Sequence, residues 1–446
     1  MIYGGADEGL LRLVIFHLKK GENMEKHYKS TGGVDIYTYE NKNLNGFYIS
    51  LFAKGGSMYE DEKYSGITHF LEHLSIRNIN AHMDGGLYRL LDQYGLEFNA
   101  STYPEMVQFY ISGAKENFGR AVKILCMLFL PLSLTKAEID TERLRIKAEL
   151  REGDTKNSLS EFTSRILYPD TSLRLPILGT NASLDRITQK QINALAREML
   201  SKENIFFYLT GAVDEEAVKS LIQELDACDI PSAKKRENIA PVSQFFGKRG
   251  AAVHVKSADY TLLRFSFDMD MTKVSEAESD LLYDILFTGY NSRFFMEMSE
   301  NRGICYDISG GLDRYLNIGA LYFTCEVKNE RLEEAVKLSV DILRDMKWRL
   351  LAPEQIISAP YVGNAYLLYD DIRELNFTFS YDCHILNSKY RSLDDRRCAY
   401  ASVTPERIQE ISRHIFTTEN CTLTLKGQKK KINPERLHEI LLLLDQ

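Results

Sequence analysis

Apolar positions along this chain fall into two rhythms, one of about 3.6 residues and one of two, and each marks a different kind of element. Ile67, Phe70, Leu71 and Leu74 keep the i, i+3, i+4, i+7 spacing of a helix with one buried stripe, and Ser65 stands where an N-cap belongs. A longer helix is expected from Leu134 to Leu150, where Thr135 and Glu138 are spaced as a capping box and Gly153 is a natural stop. Val253-His254-Val255 and the run Leu263 to Phe267 alternate as strands do.

The pattern also repeats. Thr188, Ile192, Arg197, Asn204, Leu209 and Gly211 recur as Thr404, Ile408, Arg413, Asn420, Leu425 and Gly427, at a constant offset of 404 − 188 = 216 residues. Each copy reads as a helix, N-capped by its Thr, leading into a strand. A period this long rules out a solenoid and points to two homologous domains. Strands mixed with long helices in both halves predict an α+β fold, each domain a mostly antiparallel sheet with helices packed on it. The polar stretch 231–244 is expected to be the linker, between a first domain at 33–230 and a second at 245–446, with 1–32 as an N-terminal extension.

Composition changes this picture little. The 446 residues are 44% apolar and 26% charged, ordinary for a globular protein that can bury a large core. A net charge of −8 argues against a nucleic-acid surface, which needs concentrated Lys and Arg. Seven cysteines with no C-x-x-C pair read as reduced, mostly buried thiols. The apolar stretch Leu10 to Leu18 follows acidic rather than basic residues, unlike a signal peptide, and no later run reaches transmembrane length. The expected location is the cytoplasm of a prokaryote.

Chemistry concentrates on the first helix. His69-Phe70-Leu71-Glu72-His73 sets two imidazoles one turn apart on the face opposite the apolar stripe, so a single cation can take a nitrogen from each. Glu72 lies beside that cation, placed to take a proton from an activated water. A third ligand is still needed if one coordination position is to stay open. Glu142 and Glu149, seven apart, share a face of the Leu134 to Leu150 helix.

H-x-x-E-H followed about 75 residues later by a glutamate, with another glutamate seven before it, resembles the pitrilysin/insulinase family of zinc metallopeptidases, which includes the mitochondrial processing peptidases and many bacterial relatives. Gly55-Gly56-Ser57-Met58-Tyr59-Glu60, Gly66-Ile67-Thr68 and Phe98-Asn99-Ala100-Ser101-Thr102 carry the same likeness, which runs from about residue 33 to the C-terminus. The resemblance implies one zinc per chain held by His69, His73 and Glu149, with Glu72 as general base and Glu142 supporting the ligands from outside. It implies that Phe98, Asn99, Ala100 and Ser101 form an edge strand along which an extended peptide lies. It also implies a closed chamber made by two homologous two-domain halves, of which this chain is one.

The second domain is expected to be metal-free. There the family carries an Arg and, seven residues later, a Tyr that help hold substrate. Tyr306 keeps the Tyr, although a packed aromatic is the simpler reading; Ser299 replaces the Arg, and Arg302 stands one turn away. The expected function is therefore a zinc endopeptidase working as the metal subunit of a heterodimer, whose homologous partner brings the Arg/Tyr pair. A self-sufficient homodimeric oligopeptidase, a catalytically weak structural subunit, and a metal hydrolase of non-peptide substrates are the alternatives.

Overall fold

A computed structural model describes residues 25–153, 158–242, 250–255, 258–352, 356 and 370–446; the Leu10 to Leu18 stretch lies outside them. Six strands build the first sheet: β1 (Lys26–Lys29), β2 (Asp35–Glu40), β3 (Gly46–Lys54), β4 (Glu97–Thr102), β5 (Met106–Ala114) and β6 (Ile205–Gly211), in the order β1-β2-β6-β3-β5-β4. Only β2 and β6 run parallel. The second sheet has β7 (Gly250–Val255), β8 (Tyr260–Asp270), β9 (Ile308–Arg314), β10 (Ile318–Lys328) and β11 (Cys421–Gly427), in the order β7-β11-β8-β10-β9, again with one parallel pair. Without β1 the two orders coincide, so the halves share one α+β topology. The sheet begins inside the stretch expected to be an extension, since β1 pairs with β2.

Four helices matter in the first half: α1 (Ile67–His82), α2 (Lys136–Glu152), α3 (Leu159–Leu167) and α4 (Gln189–Met199). In the second half lie α5 (Glu276–Phe287), α6 (Leu332–Trp348), α7 (Ile372–Ser380) and α8 (Pro405–Ile415). The 216-residue offset relates α4 to α8 and β6 to β11 residue for residue, and Thr188 and Thr404 cap as expected. Thr135 and Glu138 form the capping box of α2, and Gly153 ends it.

Along β3, Phe47, Ile49, Leu51 and Ala53 face one way and Tyr48, Ser50 and Phe52 the other, and all are buried. A strand covered on both faces needs a layer on each side. Phe70, Leu71 and Leu74 of α1, with Ile139 and Ile146 of α2, close the first face. The second is closed by the other half of the chain: Leu375 and Phe379 of α7 pack on Phe52, Phe206 and Tyr208. Polar pins fix that contact. Asn376 receives the Ser50 hydroxyl at 2.8 Å and donates to the Tyr208 carbonyl at 2.9 Å. In return, Thr163 of α3 meets Thr424 of β11 at 2.6 Å. Residues 231–242 cross between the halves without regular structure, and Arg236 binds Glu198 at 3.0 Å.

Glu105, in the turn between β4 and β5, is 5% exposed at the same interface. Its Oε1 lies 2.9 Å from the Tyr381 hydroxyl, which also lies 2.8 Å from the Arg314 carbonyl. One hydroxyl proton cannot serve both acceptors. A neutral carboxyl resolves the conflict, with Glu105 donating to Tyr381 and Tyr381 to Arg314. Burial accordingly pushes the Glu105 pKa from 4.5 up to about 7. A raised carboxyl pKa stabilises the fold fully below about pH 4.5, and that contribution is lost as pH rises through about 7. Glu105→Gln should therefore unfold at a higher temperature than the parent at pH 8, with the gap narrowing towards pH 5. A constant gap, measured by calorimetry across that range, would contradict the assignment.

Candidate metal centre

The start of α1 is held differently from the sequence expectation. Ser65 is not the N-cap; its hydroxyl donates to the Pro176 carbonyl at 3.2 Å, and Gly66, at φ +90°, occupies the cap position without a side chain to offer. Glu60 does the capping from outside the helix. Its two oxygens accept the Gly66 and Thr68 N–H groups at 2.7 and 2.8 Å. A carboxylate there satisfies two orphan donors and faces the positive end of the helix dipole. A Cβ on Gly66 would stand 2.8 Å from the Gly179 Cα, so the 176–179 loop presses directly on the helix entrance.

From this fixed start, His69 and Glu72 project into a cleft while remaining 7% and 6% exposed, and His73 follows one turn later. Helix α2 delivers the rest. Glu149 Oε2 lies 3.4 Å from His69 Nε2 and 3.7 Å from His73 Nε2. Glu142 Oε2 lies 3.4 Å from His73 Nδ1, and its Oε1 is bound by Arg77 at 2.7 Å. Two glutamates two turns apart thus engage the two histidines, one from each side of His73. His69, His73 and Glu149 offer donor atoms that all fall within 4.8 Å of one another.

The electrostatics follow from this packing. Burial disfavours the charged form of His69, but the hydrogen bonds that its ring donates to the Glu149 and Glu72 carboxylates outweigh it and hold the imidazole pKa up at about 9. Glu149 is kept below the usual carboxylate range by its hydrogen bond to His69. At Glu142 burial works upward, yet His73 and Arg77 bring the pKa below normal. The carboxylates are ionised and already paired with positive charge, which is what a cation would find to replace. Tetrahedral donors about 2.0–2.1 Å from zinc lie about 3.4 Å apart, so the His69–Glu149 and His73–Glu149 separations suit such an ion.

One wall of the cleft, which holds about 1050 Å3, is β4: Phe98, Asn99, Ala100, Ser101 and Thr102 all line it. β4 ends the sheet, pairing only with β5 among the described residues. Its other side is an open edge. The Ala100 N–H donates to the Asn99 side-chain oxygen at 2.9 Å, an amide standing in for a backbone acceptor.

Tyr306 is not brought to this cleft. It lines a separate cavity of about 800 Å3 with Ser299 and Arg331, and it is 96% exposed, so the packed-aromatic reading is corrected. Ser299 donates its hydroxyl to the Tyr306 carbonyl at 3.0 Å, while Arg302 sits 3.7 Å from Glu297. Sequence reasoning did not assign the roles of Glu60, which reaches the helix from a loop, or of Thr102, whose hydroxyl donates to Glu72 at 2.6 Å. No spacing rule marks either one.

Residues 37–181 match the insulinase (peptidase family M16) domain and residues 186–349 the M16 inactive domain. The chain belongs to the M16, or insulinase, family of peptidases. It is 22% identical over 437 residues to an uncharacterized zinc protease of Mycobacterium tuberculosis, covering 92% of this chain and 95% of that one. A similar protein of Bacillus subtilis, also an uncharacterized zinc protease, is 20% identical over 89% of this chain and 97% of its own. Among solved structures, a protease from Helicobacter pylori superposes with a TM-score of 0.79 at 16% identity, covering 91% of this chain and 99% of that one. An M16 inactive domain protein from Pseudomonas fluorescens gives 0.80 at 16% identity, over 91% and 98%. These structures speak to the fold.

Proposed function

We propose that this chain is a zinc-dependent endopeptidase that hydrolyses peptides or unfolded segments laid in extended form along β4. The observation that carries the reading is the convergence of His69, His73 and Glu149 beside Glu72 at the foot of an open strand edge. His69, His73 and Glu149 would hold one zinc, and Glu142 fixes the orientation of the His73 ring through Nδ1. When bound, zinc supplies Lewis acidity that makes water a nucleophile near neutral pH. Glu72 takes the proton as water attacks the peptide carbonyl and passes it to the departing amine. The free edge of β4 gives backbone hydrogen bonds with little sequence preference, and the cleft walls add selectivity.

Among the described residues the second half lends no ligand to this centre. Its exposed Tyr306, with Ser299 at the expected arginine position, supports a metal subunit whose homologous partner brings the Arg/Tyr pair. Two-fold homodimers are the usual default, but two copies of this chain would both lack that arginine unless Arg302 fills the role. Bacterial relatives and buried thiols support a prokaryotic cytoplasmic site of action.

The purified protein should hold close to one zinc per chain by elemental analysis. Glu72→Gln should keep the metal and lose peptidase activity, about 100-fold or more; an active Glu72→Gln protein, or parent activity that survives prolonged chelation, would sink the mechanism. Ala100→Pro removes a backbone donor from the strand edge, so peptide affinity should fall several-fold while zinc content stays. Unchanged affinity in the folded variant would rule out strand addition. The isolated chain should bind zinc yet cleave peptides poorly, with turnover restored by the homologous partner; full activity alone would favour the homodimer.

A further inference from the structure

Strand β4 does more than offer an edge. Thr102, its last residue, pairs with Val107 as Phe98 and Ala100 pair with Ile111 and Phe109, so all three side chains point to the helix side of the sheet. From there the Thr102 hydroxyl reaches Glu72 Oε2 at 2.6 Å, a short charge-assisted bond. The same oxygen lies 3.5 Å from His69 Nδ1. Oε2 is therefore committed, and Oε1 is the oxygen left to receive a proton.

We infer that Thr102 is the positioning residue of the general base. Its β-branched side chain is stiff about χ1, so the hydroxyl direction is set by the strand backbone. The strand that receives the peptide thus also sets the angle of the carboxylate that must meet the attacking water. The inference rests on the reading of Glu72 given above.

The test compares Thr102→Val, which keeps the shape and loses the hydroxyl, with Thr102→Ser, which keeps the hydroxyl. Zinc content, peptide affinity, KM and kcat are measured for each, with the homologous partner present if turnover requires it. Thr102→Val should retain zinc, affinity and KM and lose kcat by about 10- to 100-fold, the usual cost of removing a group that orients an active-site ligand. Thr102→Ser should recover most of that loss. Parent-like kcat in Thr102→Val would overturn the proposal, as would a loss that Ser does not rescue or one that follows loss of zinc. Glu72→Gln separates the two claims: if it is inactive while Thr102→Val is fully active, only the role of Thr102 fails, whereas an active Glu72→Gln removes the base itself.

Discussion

Everything at this centre depends on holding Glu149 between two imidazoles that sit on a different helix. The separations of 3.4 and 3.7 Å leave no room for a helix to slide or rotate. Each helix is accordingly fixed at its start, α1 by the Glu60 carboxylate and the Gly66–Gly179 contact, α2 by the Thr135–Glu138 capping box. Both then press apolar side chains on one core, so the donor atoms inherit the rigidity of close-packed Phe70, Leu71, Ile139 and Ile146. The site is precise because the packing beneath it is.

That core is in turn sealed by the other half of the chain. Sheet one cannot bury Phe52, Phe206 and Tyr208 without α7, and β11 receives Thr163 from α3. The two homologous halves are therefore not beads on a linker. Their exchange of helices fixes the first sheet on both faces, and with it the strand that lines the cleft. Among the described residues the second half contributes structure to the site and no side chain to the His69, His73 and Glu149 group.

Much of this was legible in the sequence, for a physical reason in each case. His69, Glu72 and His73 were readable because two imidazoles at i and i+4 leave a local pattern, and the apolar stripe opposite them told which way they faced. The duplication was readable because α4–β6 and α8–β11 keep register over 216 residues. Glu149 was different: it comes from a helix whose packing no local rule reveals, and the resemblance to a family supplied it. The misassigned cap at Ser65 shows the limit of propensity, since a carboxylate five residues upstream won the helix N-terminus. Contacts across the sheet, such as Thr102 with Glu72, depend on register and leave no trace in spacing. The seven-residue offset from Ser299 to Tyr306 was visible, but not that Tyr306 would stand clear of its own chain.

The central claim is the ligand set, and zinc K-edge X-ray absorption on the zinc-loaded protein tests it most directly. A centre of His69, His73 and Glu149 should show only nitrogen and oxygen neighbours at about 2.0–2.1 Å, with the outer-shell signature of two imidazoles that drops to one in His73→Ala. A sulfur neighbour at about 2.3 Å, or a spectrum unchanged in His73→Ala, would place the metal elsewhere and contradict the account.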